Sequence, residues 1–322
     1  MPQLLADIGG TRARFALLTA DGAITATQVL ACADFPDLEA AVRAYLAAAG
    51  AADIGAAAIA IANPVDGDAI RMTNHHWAFS IEATRLALGL DRLLVLNDFT
   101  ALAMALPLLA DHERLPIGGG ARRANATVGL VGPGTGLGVS GLVRCGERWQ
   151  PLSSEGGHAS FAPVDDREAA ILAIVQRDHR HVSAERLISG PGLVLIHDAL
   201  RVHRGLPKST LTPPEISARA QNGDCPLCVE TVQVFSGMLG SFAGSLALTL
   251  GALGGVYLGG GVIAGLGTAF DRDFFRARFE AKGRFAGYLG GIATIEIRAD
   301  NPALRGAAAA LADLPDQRRP GS

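Results

Sequence analysis

The sequence predicts an α/β protein organised as two lobes, and three observations lead there. A chain of 322 residues exceeds what one hydrophobic core usually organises, so two lobes, each burying its own core and able to close on a cleft, are expected. Two glycine-rich turns, Asp7-Ile8-Gly9-Gly10-Thr11 and Gly132-Pro133-Gly134-Thr135-Gly136, each follow a short apolar run. Such a turn can take positive φ and bring successive N–H groups onto a phosphate. The continuous apolar run Leu93-Leu94-Val95-Leu96, ending in Asn97-Asp98, is the pattern of a buried parallel strand with a polar pair at its carboxyl end, where ligands gather in open α/β sheets.

In the first turn, Leu4-Leu5-Ala6 reads as a strand entering Asp7, and the alternating Ala13, Phe15 and Leu17 read as a strand leaving Thr11. That is a β-hairpin rather than a strand-to-helix phosphate loop, and no Gly-x-x-x-x-Gly-Lys-Ser/Thr occurs in the chain. Asp7 ends its strand facing the turn, where a carboxylate could hold Mg2+ through water. The same residues also suit an ordinary glycine hairpin whose aspartate caps its own backbone. After Leu96, Asn97-Asp98-Phe99-Thr100 leads into a helix over Thr100 to Leu109, and Asp98 suits either an N-cap or a ligand-binding carboxylate.

A loop over Leu115 to Asn125 then opens the second lobe. Val128 to Val131 reads as a strand, the glycine turn follows, and Val139 to Val143 reads as the returning strand. Within this segment Gly136-x-Gly138-x-x-Gly141 matches the dinucleotide fingerprint, with Glu155 near the distance of a ribose-binding acid. The fingerprint must open a helix, whereas Gly141-Leu-Val-Arg-Cys-Gly reads as a strand ending at a turn. Glu155 and His158 flank Gly156-Gly157, too glycine-rich for a stable helix, and so sit on a loop that could simply be solvated. Glu185 follows Ser183 at a helix start, where a carboxylate is favoured by the helix dipole in any protein.

Thr231 to Phe270 carries no formal charge and contains Gly240-x-x-x-Gly244, a small-residue packing pattern also found in membrane helices. Repeated glycine clusters favour a soluble reading: a buried helix to about Leu250, a strand at Val256-Tyr257-Leu258, a turn at Gly259 to Gly261 and a further helix. Asn301-Pro302 starts a final alanine-rich helix ending near Leu314, and Asp316 to Ser322 reads as a frayed tail. Cys225-Pro-Leu-Cys228 offers two thiols rather than the four a structural zinc site uses, so Cys32, Cys145, Cys225 and Cys228 are expected as reduced thiols. The formal net charge of −3 lacks the basic bias of a nucleic-acid binder. No basic leader with a long apolar region precedes Asp7, so a cytoplasmic protein with no membrane partner is expected.

The segments around Asp7 to Thr11, Thr73-Asn74-His75-His76-Trp77, Asn97 to Thr100, Gly132 to Gly138, Glu155 to His158, Glu185 with Ser189-Gly190-Pro191-Gly192, and Gly259 to Gly261 occur in an order that resembles the bacterial glucokinases. Several short motifs at compatible spacings over nearly the whole chain are far more specific than one glycine loop. The resemblance implies a two-lobed actin-like ATPase (ribonuclease H-like) fold, each lobe a mixed sheet flanked by helices. Residues 1–108 would form the small lobe, joined by a C-terminal helix within 299–322, and residues 109–298 the large lobe.

It further implies transfer of the γ-phosphate of ATP, with Mg2+, to the 6-hydroxyl of D-glucose. The alternatives are another hexose or an amino sugar, or a sugar-sensing regulator without turnover. By position, Asn97 and Asp98 would bind the 3-, 4- and 6-hydroxyl region with Asp98 as general base. Glu155, His158 and Glu185 would bind hydroxyls near the anomeric carbon. Gly9, Gly10, Thr11, Gly134, Thr135 and Gly136 would line the phosphates, with Gly260 and Gly261 near the adenosine and Asp7 facing Mg2+. Arg12 stands where such relatives commonly have asparagine and stays outside the expected site. A homodimer is the expected assembly.

Overall fold

A computed structural model describes residues 1–51, 53–73 and 75–313, which form two compact units: Met1–Leu109 with residues 299–313, and Ala110–Arg298. The first unit begins with the strands β1 (Gln3–Ile8), β2 (Arg12–Leu18) and β3 (Ile24–Ala31). The helix α1 (Leu38–Ala49) follows, opened by Asp37, whose carboxylate accepts the Ala40 N–H at 2.8 Å, and closed by Gly50 at φ 65°. Then come β4 (Ala56–Ile61), a small hairpin of β5 (Ala69–Arg71) and β6 (Ala78–Ser80), α2 (Ile81–Ala87), β7 (Arg92–Asn97) and α3 (Asp98–Ala105).

The main sheet has the order β3-β2-β1-β4-β7. β1 to β3 pair antiparallel, whereas β1, β4 and β7 run parallel. β4 is buried at every position, as a strand covered on both faces must be, which is why its sequence is wholly apolar. Ile8, Ile61 and Asn97 stand side by side in register. The segments leaving these strands, Gly9 to Thr11, Ala62-Asn63 and Asp98, therefore emerge along one edge of the sheet.

The helix expected over Thr100 to Leu109 starts two residues earlier and is shorter. Its cap is Asn97, and after Ala105 the chain tightens into a 3-10 turn over Leu106–Leu108. Pro107 lacks the N–H that a further α-helical turn would need.

The second unit contains β8 (Arg114–Ile117), β9 (Val128–Pro133), β10 (Leu137–Cys145), β11 (Arg148–Pro151), α4 (Asp166–Val175), α5 (Ala184–Leu187), α6 (Gly190–His203), α7 (Pro213–Asn222) and α8 (Pro226–Leu250). It continues with β12 (Val256–Leu258), α9 (Gly261–Leu266), α10 (Arg272–Glu280), α11 (Ala286–Gly290) and β13 (Thr294–Ile297). Its sheet has the order β11-β10-β9-β12-β13-β8. The dinucleotide-like glycines Gly138 and Gly141 lie inside β10, an antiparallel strand paired with β9 and β11, so the helix that a Rossmann site requires is not there.

The uncharged run contributes α8, and 72% of that helix's most apolar stretch is buried, although it is long and apolar enough to cross a membrane by composition alone. Its glycine row is explained by α10. A Cβ on Gly240 would lie 2.2 Å from the Phe275 carbonyl oxygen and one on Gly244 2.4 Å from that of Phe279. The small residues thus admit a neighbouring backbone within the same unit.

The chain returns to the first unit as α12 (Pro302–Asp313). Leu304, Ala307 and Leu311 of this helix cover a sheet face of Leu5, Ala16, Ala56, Ala58 and Ala60. A Cβ on Gly306 would fall 1.7 Å from the carbonyl oxygen of Ala101, so α12 lies backbone-to-backbone against α3. Leu314 and the expected tail from Asp316 to Ser322 lie outside the described residues.

Candidate functional site

In the first unit the polar pair at the end of β7 divides its work. The Asn97 Oδ1 accepts the N–H groups of Phe99 at 2.9 Å and Thr100 at 3.2 Å, and its Nδ2 donates to the Asn63 carbonyl at 3.3 Å. Asn97 is therefore the N-cap. Asp98 is the first helical residue, its Oδ1 accepting the Phe99 N–H at 2.8 Å. Asn97 keeps a second amide N–H for a ligand.

Asn63, unmarked in the sequence except by the Asn63-Pro64 turn signal, ties this edge together. Its Oδ1 accepts from the Thr73 N–H at 2.9 Å and the Thr73 Oγ1 at 2.8 Å, and its Nδ2 donates to Arg71 at 3.1 Å. Asn74, within one of the motifs that carry the resemblance, lies outside the described residues. Trp77 is buried, and its Nε1 donates to the Phe35 carbonyl at 3.1 Å, a packing role.

Asp7 stands opposite Arg14 in the β1–β2 register, with the Arg14 guanidinium 3.2 Å from Oδ2. Burial pushes the Asp7 carboxyl above the ordinary aspartate value, and the charge and hydrogen bond of Arg14 pull it only part of the way back. The guanidinium engages Oδ2, and among the described residues no hydrogen bond uses Oδ1, so a carboxylate oxygen compatible with the expected Mg2+ role through water is present. In the turn itself the Gly9 N–H donates to the Arg12 carbonyl at 3.0 Å and closes the hairpin. Among the described residues, no hydrogen bond uses the N–H groups of Gly10 and Thr11.

The second unit brings its expected residues together. The Gly134 N–H turns inward to the Gly136 carbonyl at 2.8 Å, the Leu137 N–H donates to Glu185 Oε2 at 2.9 Å, and the Gly190 N–H at the start of α6 donates to the Gly134 carbonyl at 2.8 Å. Among the described residues, no hydrogen bond uses the N–H groups of Thr135 and Gly136, and a Cβ on Gly134 would meet open space. The positive φ argued from the sequence is absent from Gly9, Gly134 and Gly136 and present at Gly260, at 87°. Crowding is the operative constraint: a Cβ on Gly136 would lie 2.3 Å from Glu185 Oε2, and one on Gly260 2.3 Å from the Pro133 carbonyl. Gly260 and Gly261 thus sit beside the Gly132–Gly136 turn.

His158 stands between two carboxylates, with Nε2 3.8 Å from Glu155 Oε2 and Nδ1 3.7 Å from Glu185 Oε1. These separations exceed hydrogen-bond length, so the three groups converge without consuming one another's capacity. Two backbone bonds bring the loops together: the Ala184 N–H donates to Ala159 at 2.8 Å and the Phe161 N–H to Val182 at 2.9 Å. Glu185 is in the first turn of α5 behind the Ser183 cap, as its sequence position suggests. Its reach to Leu137 is what the sequence did not show.

The glucokinase family model matches residues 4–314. The chain belongs to the glucokinase family. It is 57% identical, over all of its length, to a "Bifunctional protein glk" of Burkholderia lata, and spans 50% of that longer relative. It is 56% identical to a glucokinase of Aromatoleum aromaticum, with 96% of this chain and 94% of the relative covered. Among solved structures, a glucokinase from an Antarctic psychrotroph is similar at a TM-score of 0.87 and 38% identity, covering 97% of this chain and 99% of that one. The mixed sheets of this glucokinase-family chain are those of the actin-like ATPase fold.

Proposed function

We propose that the chain is an ATP-dependent glucokinase, transferring the γ-phosphate of ATP to the 6-hydroxyl of D-glucose to give glucose 6-phosphate and ADP. The observation that carries this reading is the shared edge of the first sheet. β4 alone separates β1 from β7, so the glycine turn after β1 and Asp98 after β7 stand about 10 Å apart at the backbone. A terminal phosphoryl group held by the spare N–H groups of Gly10 and Thr11 and a sugar hydroxyl held by Asp98 fill such a span.

In the proposed reaction the Asp98 carboxylate orients the 6-hydroxyl and accepts its proton as the new O–P bond forms and the bond to the β-phosphate oxygen breaks. Thr135 and Gly136 supply further phosphate donors, with Gly9 and Gly134 lining the phosphates, where the lack of a side chain leaves room for them, and Gly260 and Gly261 facing the adenosine. Glu155, His158 and Glu185 read hydroxyls near the anomeric carbon. Asn97 contributes its remaining amide N–H to the sugar. Asp7 would hold Mg2+ through water, and the metal would supply charge neutralisation on the phosphates. ATP and glucose are cytoplasmic substrates, so the cytoplasm is the compartment we assign, and a homodimer is the assembly we expect.

The test is coupled ADP release with magnesium ATP against glucose, mannose, fructose, galactose and N-acetylglucosamine. Glucose should give the highest kcat/KM, because an epimer leaves one of the polar groups unpaired. ADP release no faster with any sugar than without would overturn the kinase reading, and a clear preference for another sugar would overturn glucose.

A further inference from the structure

The Cys-Pro-Leu-Cys segment plays no part in the proposed phosphoryl transfer, and its placement gives it chemistry of its own. Cys225 is the N-cap of the long helix α8 and Cys228 lies in its first turn, with the Cys225 sulfur accepting the Cys228 N–H at 3.4 Å. Residues three apart across a helical turn have Cα atoms about 5 Å apart, within the range a disulfide bridges. Cys228 is fully buried, whereas Cys225 is partly buried, packed on the edge of the unit's apolar core. A part-exposed cysteine at a helix N-terminus with a sheltered second thiol behind it is the arrangement of a nucleophilic and a resolving cysteine.

We infer that Cys225 and Cys228 form a reversible dithiol–disulfide couple that exchanges with low-molecular-weight disulfides such as glutathione disulfide. The Cys225 thiolate attacks one sulfur of the small disulfide, forms a mixed disulfide and expels one thiolate. Cys228 then attacks the Cys225 sulfur, its proton passing to the second departing thiolate. Two protein thiols are oxidised to one disulfide and one small disulfide is reduced to two thiols.

The electrostatics suit this order. Burial raises the Cys225 thiol pKa, but hydrogen bonds from the Cys228 thiol and from the Cys228 and Leu227 N–H groups, with the charge of Arg219, outweigh it and leave the value below that of an ordinary cysteine. Cys228 is pushed up to about 12, by burial first and then by the hydrogen bond and negative charge of Cys225. That charge vanishes once Cys225 enters the mixed disulfide, so Cys228 becomes easier to deprotonate when its turn comes.

The full chain, reduced and then equilibrated across ratios of reduced to oxidised glutathione, is quenched, alkylated and mapped by peptide mass spectrometry. The peptide carrying both cysteines should become two hydrogens lighter and unreactive to alkylation under oxidising ratios, and recover with dithiothreitol. Cys228→Ser should retain glutathione on Cys225, and Cys225→Ser should leave Cys228 unmodified. Serine is itself a good N-cap, so Cys225→Ser keeps the helix start, and circular dichroism checks both variants. At neutral pH Cys225 should react at least about tenfold faster than the exposed Cys145. Glutathione accumulating on Cys225 of the unaltered chain without an internal disulfide would overturn the inference, as would a Cys225 no faster than Cys145.

Discussion

Asn97 and Asp98 are chemically similar neighbours, and a shift of one position separates their duties. The amide oxygen of Asn97 accepts two helix N–H groups, so Asn97 is the N-cap, and Asp98, the first helical residue, shares only the Phe99 N–H with it. Asp98→Asn should therefore leave α3 intact and nucleotide affinity within a few-fold, while kcat falls by about 10²- to 10⁴-fold because an amide cannot accept the hydroxyl proton. Steady-state kinetics together with calorimetric titration of nucleotide separate the two effects, and near-normal turnover would remove Asp98 as the base.

At this scale the sequence was legible where a residue's role is local. A polar residue ending an apolar run announces a strand end, and Ser183 announces a helix start. Asn63 carries no such signal, because its partners, Arg71, Thr73 and Asn97, are distant in sequence and no periodicity links them. Arg14 carries a readable signal: a tight hairpin about Gly9 to Arg12 sets residues 7 and 14 opposite each other, and a carboxylate facing a guanidinium follows.

Among the elements, strands and glycine turns were read more accurately than helix ends. Alternation and β-branched runs persist along a whole strand, whereas the limits of α3 depend on which of two adjacent polar residues caps it and on Pro107. The glycines needed a different explanation from the one their turns suggested. At Gly136, Gly240 and Gly306 the constraint is a neighbouring carboxylate or carbonyl oxygen at close range, which only tertiary structure reveals.

The contact between α12 and α3 gives the prediction for this scale. Gly306→Ala places a methyl group 1.7 Å from the Ala101 carbonyl oxygen, so one helix must shift at an overpacking cost of about 1–3 kcal/mol or more. Thermal unfolding should show a lower Tm than for the unaltered chain. Gly265→Ala, in the exposed last turn of α9 with nothing near its added carbon, should be neutral or slightly stabilising. Equal Tm values for the two variants would contradict the close approach.

For the molecule as a whole, the acid side of the stability profile should carry the signature of one buried histidine. His197 of α6 is 1% exposed, its Nδ1 makes no hydrogen bond among the described residues, and Asp198 lies 3.9 Å away. Burial is the largest influence and lowers its pKa below 6.5. Asp198 opposes this, while Arg201 and Arg219 reinforce it. The folded state thus prefers the neutral ring, and the unfolded chain takes up the proton first as pH falls through 6.5. Stability from this group is complete above that pH and declines below it. His197→Gln should flatten the fall in Tm between neutral pH and about pH 5.5, measured by calorimetry at matched ionic strength. An unchanged slope would assign the acid sensitivity elsewhere.

The first unit draws on both sides of a long excursion. Its sheet face of Leu5, Ala16, Ala56, Ala58 and Ala60 is covered by Leu304, Ala307 and Leu311, and the whole of Ala110–Arg298 intervenes. While the polypeptide is still being synthesised, that greasy surface stays bare throughout translation of the intervening segment. The nascent chain therefore carries an uncovered apolar layer until α12 emerges, and the earliest strands to be made are among the last to be sealed.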